Sequence, residues 1–184
     1  MSAIALEERR DALAVAGGLS VATVAVAAIV RVGWAAEARR LLGFGFTGVP
    51  ARLETATSIF AGNARLLAAV FAAILVAQSP WLAGPEARRG PLMSALTATV
   101  DAVLALAVAA NVALVGSALG AYGERMAVAM LPHGPLELAA YALALALYLR
   151  ARRGPITARH ALDVGAVCLG GLALAALLET FVVP

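Results

Sequence analysis

Lysine is absent from this sequence of 184 residues, cysteine occurs once, at Cys168, and aromatic residues make up only 5%. A single cysteine excludes an intramolecular disulfide. Charged residues make up 14% of the chain, well below the roughly 25% of typical soluble domains. Because a good part of any soluble fold faces solvent, a chain with so few charges and 62% hydrophobic residues is not a soluble globular protein.

Motifs for catalysis and metal binding are also missing. Neither His133 nor His160 has another histidine or a cysteine at metal-ligand spacing. No P-loop, G-x-S-x-G elbow or H-E-x-x-H segment occurs. Single histidines with scattered acids do not make an active site. The sequence therefore predicts a protein that is not an enzyme, with no catalytic residue, no metal and no cofactor.

Long uncharged runs dominate what is present. Residues 12–30, 66–85 and 102–123 each approach the roughly 20 residues that a membrane-spanning helix needs. We predict an all-α, polytopic helical membrane protein with about five transmembrane helices, in a single transmembrane domain that covers residues 1–184. The approximate spans are 12–30, 58–81, 97–122, 126–149 and 161–181, the fourth broken near 132–135. Between the first two, residues 34–50 predict an interfacial amphipathic segment that ends in a glycine-rich turn.

All 14 basic residues are arginine, and they lie at the ends of the apolar runs. This is typical of membrane-flanking anchors rather than of a nucleic-acid groove, so the expected partner is the lipid bilayer and not nucleic acid. The distribution favours a multi-pass protein of the cell membrane with a cytoplasmic N-terminus. With five crossings, one side collects Arg9, Arg10, Arg88, Arg89, Arg150, Arg152, Arg153 and Arg159, and the other collects Arg31, Arg39, Arg40, Arg52 and Arg125.

The octet L-P-H-G-P-L-E-L, residues 131–138, interrupts the fourth span. Pro132 and Pro135 disfavour a continuous helix, so we predict a break or a re-entrant turn here. One interpretation is architectural, with Gly134 as N-cap, Pro135 as N1 and Glu137 as a capping carboxylate at N3. The other is functional: His133 and Glu137 face a polar ligand, an ion or a proton path, as in the broken helices of transporters.

Other polar residues within the spans are candidate site residues too. Arg65 predicts either an interfacial anchor or a partner for Asp101 or Glu137 inside the bundle. Asp101 has no neutralising charge nearby in sequence, which favours a buried partner. Asn63 lies near the start of the second span, and Asn111, deeper in the third, predicts an interhelical hydrogen bond.

Small residues mark two packing faces. Gly116 and Gly120 form a G-x-x-x-G pair in the third span, typical of a face that contacts another helix or another copy of the chain. Gly17, Gly18 and Ser20 make one face of the first span small, which suits close helix contact.

The octet L-P-H-G with Glu137 resembles the hallmark of the stage II sporulation protein M family of integral membrane proteins. The segment S-I-F-A-G-N-A-R, residues 58–65, resembles the family's asparagine-bearing region, with Gly62 where the family often has a second asparagine. The ending A-A-L-L-E-T-F-V-V-P, with Glu179, resembles its C-terminal helix. The arginine-only, alanine-rich composition resembles an actinobacterial relative. The likeness implies a polytopic protein that assembles with other proteins, as the founding member does with two cell-wall hydrolases.

Two functions follow as hypotheses. The first is a non-catalytic scaffold or assembly subunit of a membrane complex, which forms homo-oligomers or binds other membrane or cell-envelope proteins. The second is a transport or channel component, with a polar path near the broken helix for an ion, a proton or a small polar or lipid substrate. In that case His133, Glu137, Asn63, Arg65 and Asp101 line the path.

Overall fold

The computed structural model describes residues 3–44, 46, 50–83 and 90–182, and these form helices joined by short connections. No strand occurs in the described residues, so the all-α prediction is confirmed. The helices are α1 (Ala3–Gly33), α2 (Ala35–Leu42), α3 (Leu53–Ala83), α4 (Pro91–Tyr122), α5 (Glu124–Met130), α6 (Gly134–Arg153) and α7 (Ala158–Phe181).

Four helices, α1, α3, α4 and α7, are each long and apolar enough to cross a membrane. α5 and α6 meet that criterion together, although they are bent by 68° at a short break. The chain is therefore a multi-pass helical membrane protein with four spans, or five when the bent pair counts as one. The predicted break in the fourth span is confirmed.

The helices extend beyond the predicted spans. α3 begins at Leu53 rather than at residue 58, and α4 begins at Pro91 rather than at 97. Gly90 precedes α4 as the N-cap, and Pro91 suits the first turn because the N–H it lacks has no partner there. Hydropathy marks the part of a helix that fits the hydrocarbon, whereas hydrogen bonding continues the helix into the interface.

The predicted amphipathic segment contains α2, a helix with no buried residue. It ends at Gly43, whose φ of 62° is the left-handed conformation that glycine favours, and the Gly43 N–H bonds the Arg39 carbonyl at 3.0 Å. The rest of the predicted turn is described only in part, because residues 45 and 47–49 lie outside the described residues.

The bundle has two ends, which its polar contacts identify. At the end that we call the N-terminal face, α1 begins, α6 ends and α7 begins: Asp11 pairs with Arg153 at 2.6 Å, and Glu8 pairs with His160 at 2.8 Å. At the opposite end, the break face, the first turns of α6 meet the first turns of α3. Five alternating crossings by α1, α3, α4, α6 and α7 satisfy both sets of contacts.

The G-x-x-x-G pair packs α4 against α1 of the same chain. A Cβ added to Gly116 would lie 2.8 Å from the Thr23 carbonyl oxygen, and one added to Gly120 would lie 2.5 Å from the Ala27 carbonyl oxygen. The motif predicts contact with another helix or with another copy of the chain. The structure shows contact with another helix of the same chain. Gly17 and Gly18 behave differently, because an added Cβ at either meets nothing within 4 Å.

The core lies between α3, α6 and α7, with Leu104 contributing from α4. The buried side of α6 is rich in alanine, which lets neighbouring helices approach closely: Ala140, Ala144 and Ala151 are at most 5% exposed. α1 lies at the periphery, and the apolar window of its span has no buried residue.

The topology makes a labelling prediction. We expect Glu54→Cys and Glu124→Cys, both exposed at the break face, to react with a membrane-impermeant maleimide from the same side of the membrane. Arg159→Cys, exposed at the N-terminal face, should react only from the opposite side. Cys168 is 0% exposed and serves as an unreactive background. Labelling of Glu54→Cys and Glu124→Cys from opposite sides would contradict the five-crossing topology.

Candidate functional site

The break between α5 and α6 is the centre of the candidate site. α5 ends at Met130, and α6 begins at Gly134 after three residues in turn conformation. The His133 carbonyl accepts the N–H groups of Leu136 at 3.0 Å and Glu137 at 3.2 Å, so His133 is the N-cap residue. Pro132 lies in the break itself.

The capping scheme predicted from the octet is wrong by one residue. Gly134 is N1 and Pro135 is N2, and the N-cap residue makes no side-chain capping bond. Proline fits N2 as well as N1 because the first N–H groups of a helix have no intrahelical acceptor. Glu137 is thereby shifted to N4, and its carboxylate bonds another helix instead.

Glu137 pairs with Asn63 across the break face. The Asn63 amide donates to the Glu137 carboxylate, with Nδ2 2.5 Å from Oε1. Tyr141, one turn further along α6, donates its hydroxyl to the Asn63 carbonyl oxygen at 3.1 Å. Two hydrogen bonds therefore join the third turn of α3 to the first two turns of α6, and Asn63 takes part in both.

His133 faces Glu179 at the end of α7. Its Nε2 lies 3.9 Å from the Glu179 carboxylate, too far for a hydrogen bond. His133 is only 8% exposed, and its Nδ1 is buried without a hydrogen-bond partner among the described residues. A buried polar atom without a partner costs about 1–3 kcal/mol. The burial of His133 therefore lowers the stability of the fold, and no hydrogen bond to Nδ1 from the described residues offsets this loss.

Asp101 belongs to the other end of the bundle. Its carboxylate accepts a forked pair of bonds from Arg152, with Nη2 at 2.8 Å and Nε at 3.2 Å, and also accepts the Tyr148 hydroxyl. The predicted partner of Asp101 exists, but it is an arginine of α6 rather than Arg65. The Asp101 and Arg152 side chains are 41% and 39% exposed, so this pair is solvated at the N-terminal face.

Arg65 and Asn111 lie outside both polar clusters. Arg65 is exposed on α3 and forms no salt bridge within the described ranges, which agrees with an anchor at the interface. Its proposed pairing with Asp101 or Glu137 is wrong, because Arg152 and Asn63 occupy those carboxylates. Asn111 is half-buried, and the described part of the chain gives its side chain no hydrogen bond.

The N-terminal face holds a further contact that sequence reasoning missed. The Gln78 amide donates to the carbonyl oxygens of Ala151 at 2.9 Å and Gly154 at 3.1 Å, and its oxygen accepts the Ile156 N–H at 2.9 Å. One side chain of α3 therefore satisfies the backbone between α6 and α7. The sequence signal was a glutamine near the end of an apolar helix. Its partners are more than 70 residues away in the chain, so no local pattern could identify them.

An apolar layer separates the two polar clusters. Val70, Ala144, Leu172 and Cys168 are at most 2% exposed, and they fill the middle of the bundle. Between Glu137 and Tyr148, α6 rises about 16 Å. The residues predicted to line one path therefore divide between the two ends: Asn63, His133 and Glu137 at the break face, and Asp101 at the N-terminal face.

Metal-binding geometry is not found in the described residues: no three or more His, Cys, Asp or Glu side chains there are placed to hold a metal ion. Comparison with family models, with curated proteins and with solved structures gives no match for this chain.

Proposed function

We propose that this protein is a non-catalytic membrane subunit, a helical scaffold that associates with a second copy of itself or with another protein of the membrane or cell envelope. The observation that carries the proposal is the pairing of the polar side chains within the spans. Asn63 bonds Glu137, Gln78 bonds the connection between α6 and α7, and Asp101 bonds Arg152. Polar groups used in this way hold helices together within the membrane.

The closed middle of the bundle supports the same proposal. A channel or carrier needs polar groups or water along its path, since ions and charged groups are costly in hydrocarbon. Here Ala144, Leu172 and Cys168, all 0% exposed, lie between the two polar clusters. The Cys168 thiol is itself bonded to the Ala140 carbonyl at 3.2 Å, so it contributes to helix packing.

The outward side of α1 is the surface we assign to a partner. Gly17 and Gly18 are exposed, with open space where a side chain would extend. Val21 and Val24, on the same side of the helix, are 71% and 64% exposed. Without a hydrophobic driving force inside lipid, membrane helices associate through small residues that let backbones approach. α1 therefore packs one side against α4 and exposes a second side that carries small residues.

The likeness to the stage II sporulation protein M family is part of this proposal. It rests on residues 131–134 with Glu137, on the Asn63 segment and on the ending with Glu179. The structure brings residues of all three stretches together at the break face, where Asn63 bonds Glu137 and His133 faces Glu179. A shared structural unit at this end of the bundle is what such a likeness leads us to expect.

Photo-cross-linking in native membranes tests the scaffold. In a Cys168→Ala background, we expect Gly17→Cys labelled with a benzophenone maleimide to form a covalent protein adduct on illumination, because the α1 face is covered by a partner. Matched controls are Leu75→Cys on α3 and Leu106→Cys on α4, which are 73% and 72% exposed and should stay monomeric. An adduct of twice the chain mass supports self-association, and one of another defined mass supports a different partner. Absence of any adduct, or equal adducts at all three positions, would overturn the proposal.

A transport component is the second candidate, and the unpartnered Nδ1 of His133 favours it. Proton flux into vesicles that contain the purified protein, driven by a potassium diffusion potential, separates the two functions. The scaffold proposal expects the same leak in wild type, His133→Ala and protein-free vesicles. A flux present in wild type and lost in a folded His133→Ala variant would establish the transport function instead.

A further inference from the structure

A cavity of about 650 Å³ lies between the ends of α1 and α4, α2 and the start of α5. Its lining includes three arginines from three different elements, Arg31, Arg39 and Arg125. Three aromatic side chains complete it: Phe44, Phe46 and Tyr122. No function described above uses this pocket, which is at the break face but is formed by helices other than those that hold Asn63 and Glu137.

The cavity has an excess of positive charge. Within the described residues no carboxylate lines it, and none of its three guanidinium groups forms a salt bridge. Glu37, the acidic residue of α2, pairs instead with Arg40 at 3.6 Å. Three converging cations without counter-ions repel one another, so an anion that binds among them would be stabilised.

Each arginine is held in place by the fold. Gly123 has a φ of +60°, and a Cβ there would lie 2.5 Å from Nη1 of Arg31, so the glycine makes room for this guanidinium. Arg125 stacks over the Phe46 ring, with Cζ 4.5 Å from the centroid. Nε of Arg39 bonds the Ala35 carbonyl at 3.2 Å, which leaves its terminal nitrogens free to bind.

The aromatic residues fix the wall of the cavity. The Tyr122 ring contacts Phe44 and Phe46 edge-on, with centroids 5.7 and 5.0 Å apart. The Tyr122 hydroxyl accepts the Phe44 N–H at 3.0 Å and lies 3.2 Å from the Arg39 carbonyl, to which it donates. Tyr122 therefore ties the end of α2 and the segment after it to the end of α4.

We propose that this cavity binds the phosphate group of an anionic membrane lipid. Guanidinium groups bind phosphate oxygens in forked geometry, and basic pockets between membrane helices at the interface are suited to lipid headgroups. The position favours a lipid over a soluble phosphate, because the cavity lies at the ends of two helices that are long and apolar enough to cross the membrane. Val128, three residues after Arg125 on α5 and so on a neighbouring part of its surface, is 62% exposed. The proposal is independent of the scaffold function.

Lipid retention measures the binding. The full-length protein is reconstituted in nanodiscs of phosphatidylcholine with a minor fraction of phosphatidylglycerol, then released and analysed by native mass spectrometry. We expect the wild type to keep one phosphatidylglycerol in preference to the zwitterionic lipid. Arg125→Gln and Arg39→Gln, on two different elements, should each reduce that retention about five-fold, as expected for one basic residue at a membrane surface.

Arg40→Gln is the matched control, since Arg40 is on the same helix as Arg39, is 77% exposed and does not line the cavity. Its lipid retention should equal that of the wild type. No preference for phosphatidylglycerol, or equal losses in Arg40→Gln and Arg125→Gln, would overturn the proposal. Displacement of the lipid by millimolar inorganic phosphate would overturn the assignment to lipid and make the pocket a site for a soluble anion.

Discussion

Replacement of Gly120 by leucine should separate α1 from α4 and lower the free energy of unfolding by about 3 kcal/mol, the upper end of the usual cost of overpacking. The obstacle is backbone, because even a Cβ at this position would lie 2.5 Å from the Ala27 carbonyl oxygen and 2.8 Å from the Cβ of Val30. Neither atom can rotate away, so the helices must move apart. Unfolding in mixed micelles, followed by circular dichroism during titration with a denaturing detergent, measures the loss.

Gly62→Leu is the matched control for Gly120→Leu. Gly62 is also a helical glycine in a span, and a Cβ there meets nothing within 4 Å. Its replacement should leave stability unchanged or raise it slightly, since leucine favours a helix more than glycine does. Equal destabilisation by the two substitutions would show that α1 and α4 do not pack through Gly120.

Loss of the Asn63 side chain should have the second largest effect. Asn63→Leu removes the donor to Glu137, whose carboxylate then has no partner at the start of α6. Glu137 is part-buried, and an unpaired buried polar group costs about 1–3 kcal/mol. We therefore expect a loss of about 2 kcal/mol in the same unfolding measurement. The variant should also be more susceptible to proteolysis near the break, because α3 no longer holds the first turns of α6 there.

Asn111→Leu provides the comparison for Asn63→Leu. The same change is made within a span, at a half-buried asparagine for which the described chain provides no hydrogen bond. Its effect should be below about 0.5 kcal/mol. If the two variants lose the same stability, the Asn63–Glu137 bond does not contribute to the fold.

The sequence was sufficient to predict the spans and the break, and the physical reasons are local. Uncharged runs such as 102–123 have few alternatives to a membrane helix, and Pro132 and Pro135 remove donors within one turn of each other. The register of the break was not predictable to one residue, because proline is tolerated at both N1 and N2 of a helix, where the missing N–H has no intrahelical acceptor. Glu137 therefore appeared to be a cap when it is an interhelical partner.

Pairs between distant helices could not be predicted from local pattern. Asp101 and Arg152 are on α4 and α6, and nothing in the sequence favoured Arg152 over Arg65 as the partner. Tyr141 and Glu179 joined the candidate site only through the arrangement of α3, α6 and α7. One signal for Tyr141 was available: it follows Glu137 by four residues and so shares its face of the helix.

In this structure the polar side chains of the spans bind the helices to one another. A double-mutant cycle on Asn63→Leu and Glu137→Leu, with each unfolding free energy measured in the same micelles, tests it most directly. We expect a coupling free energy of at least about 1 kcal/mol between the two side chains. Single-variant effects that add within about 0.3 kcal/mol would contradict it, since that is the behaviour of residues that do not interact.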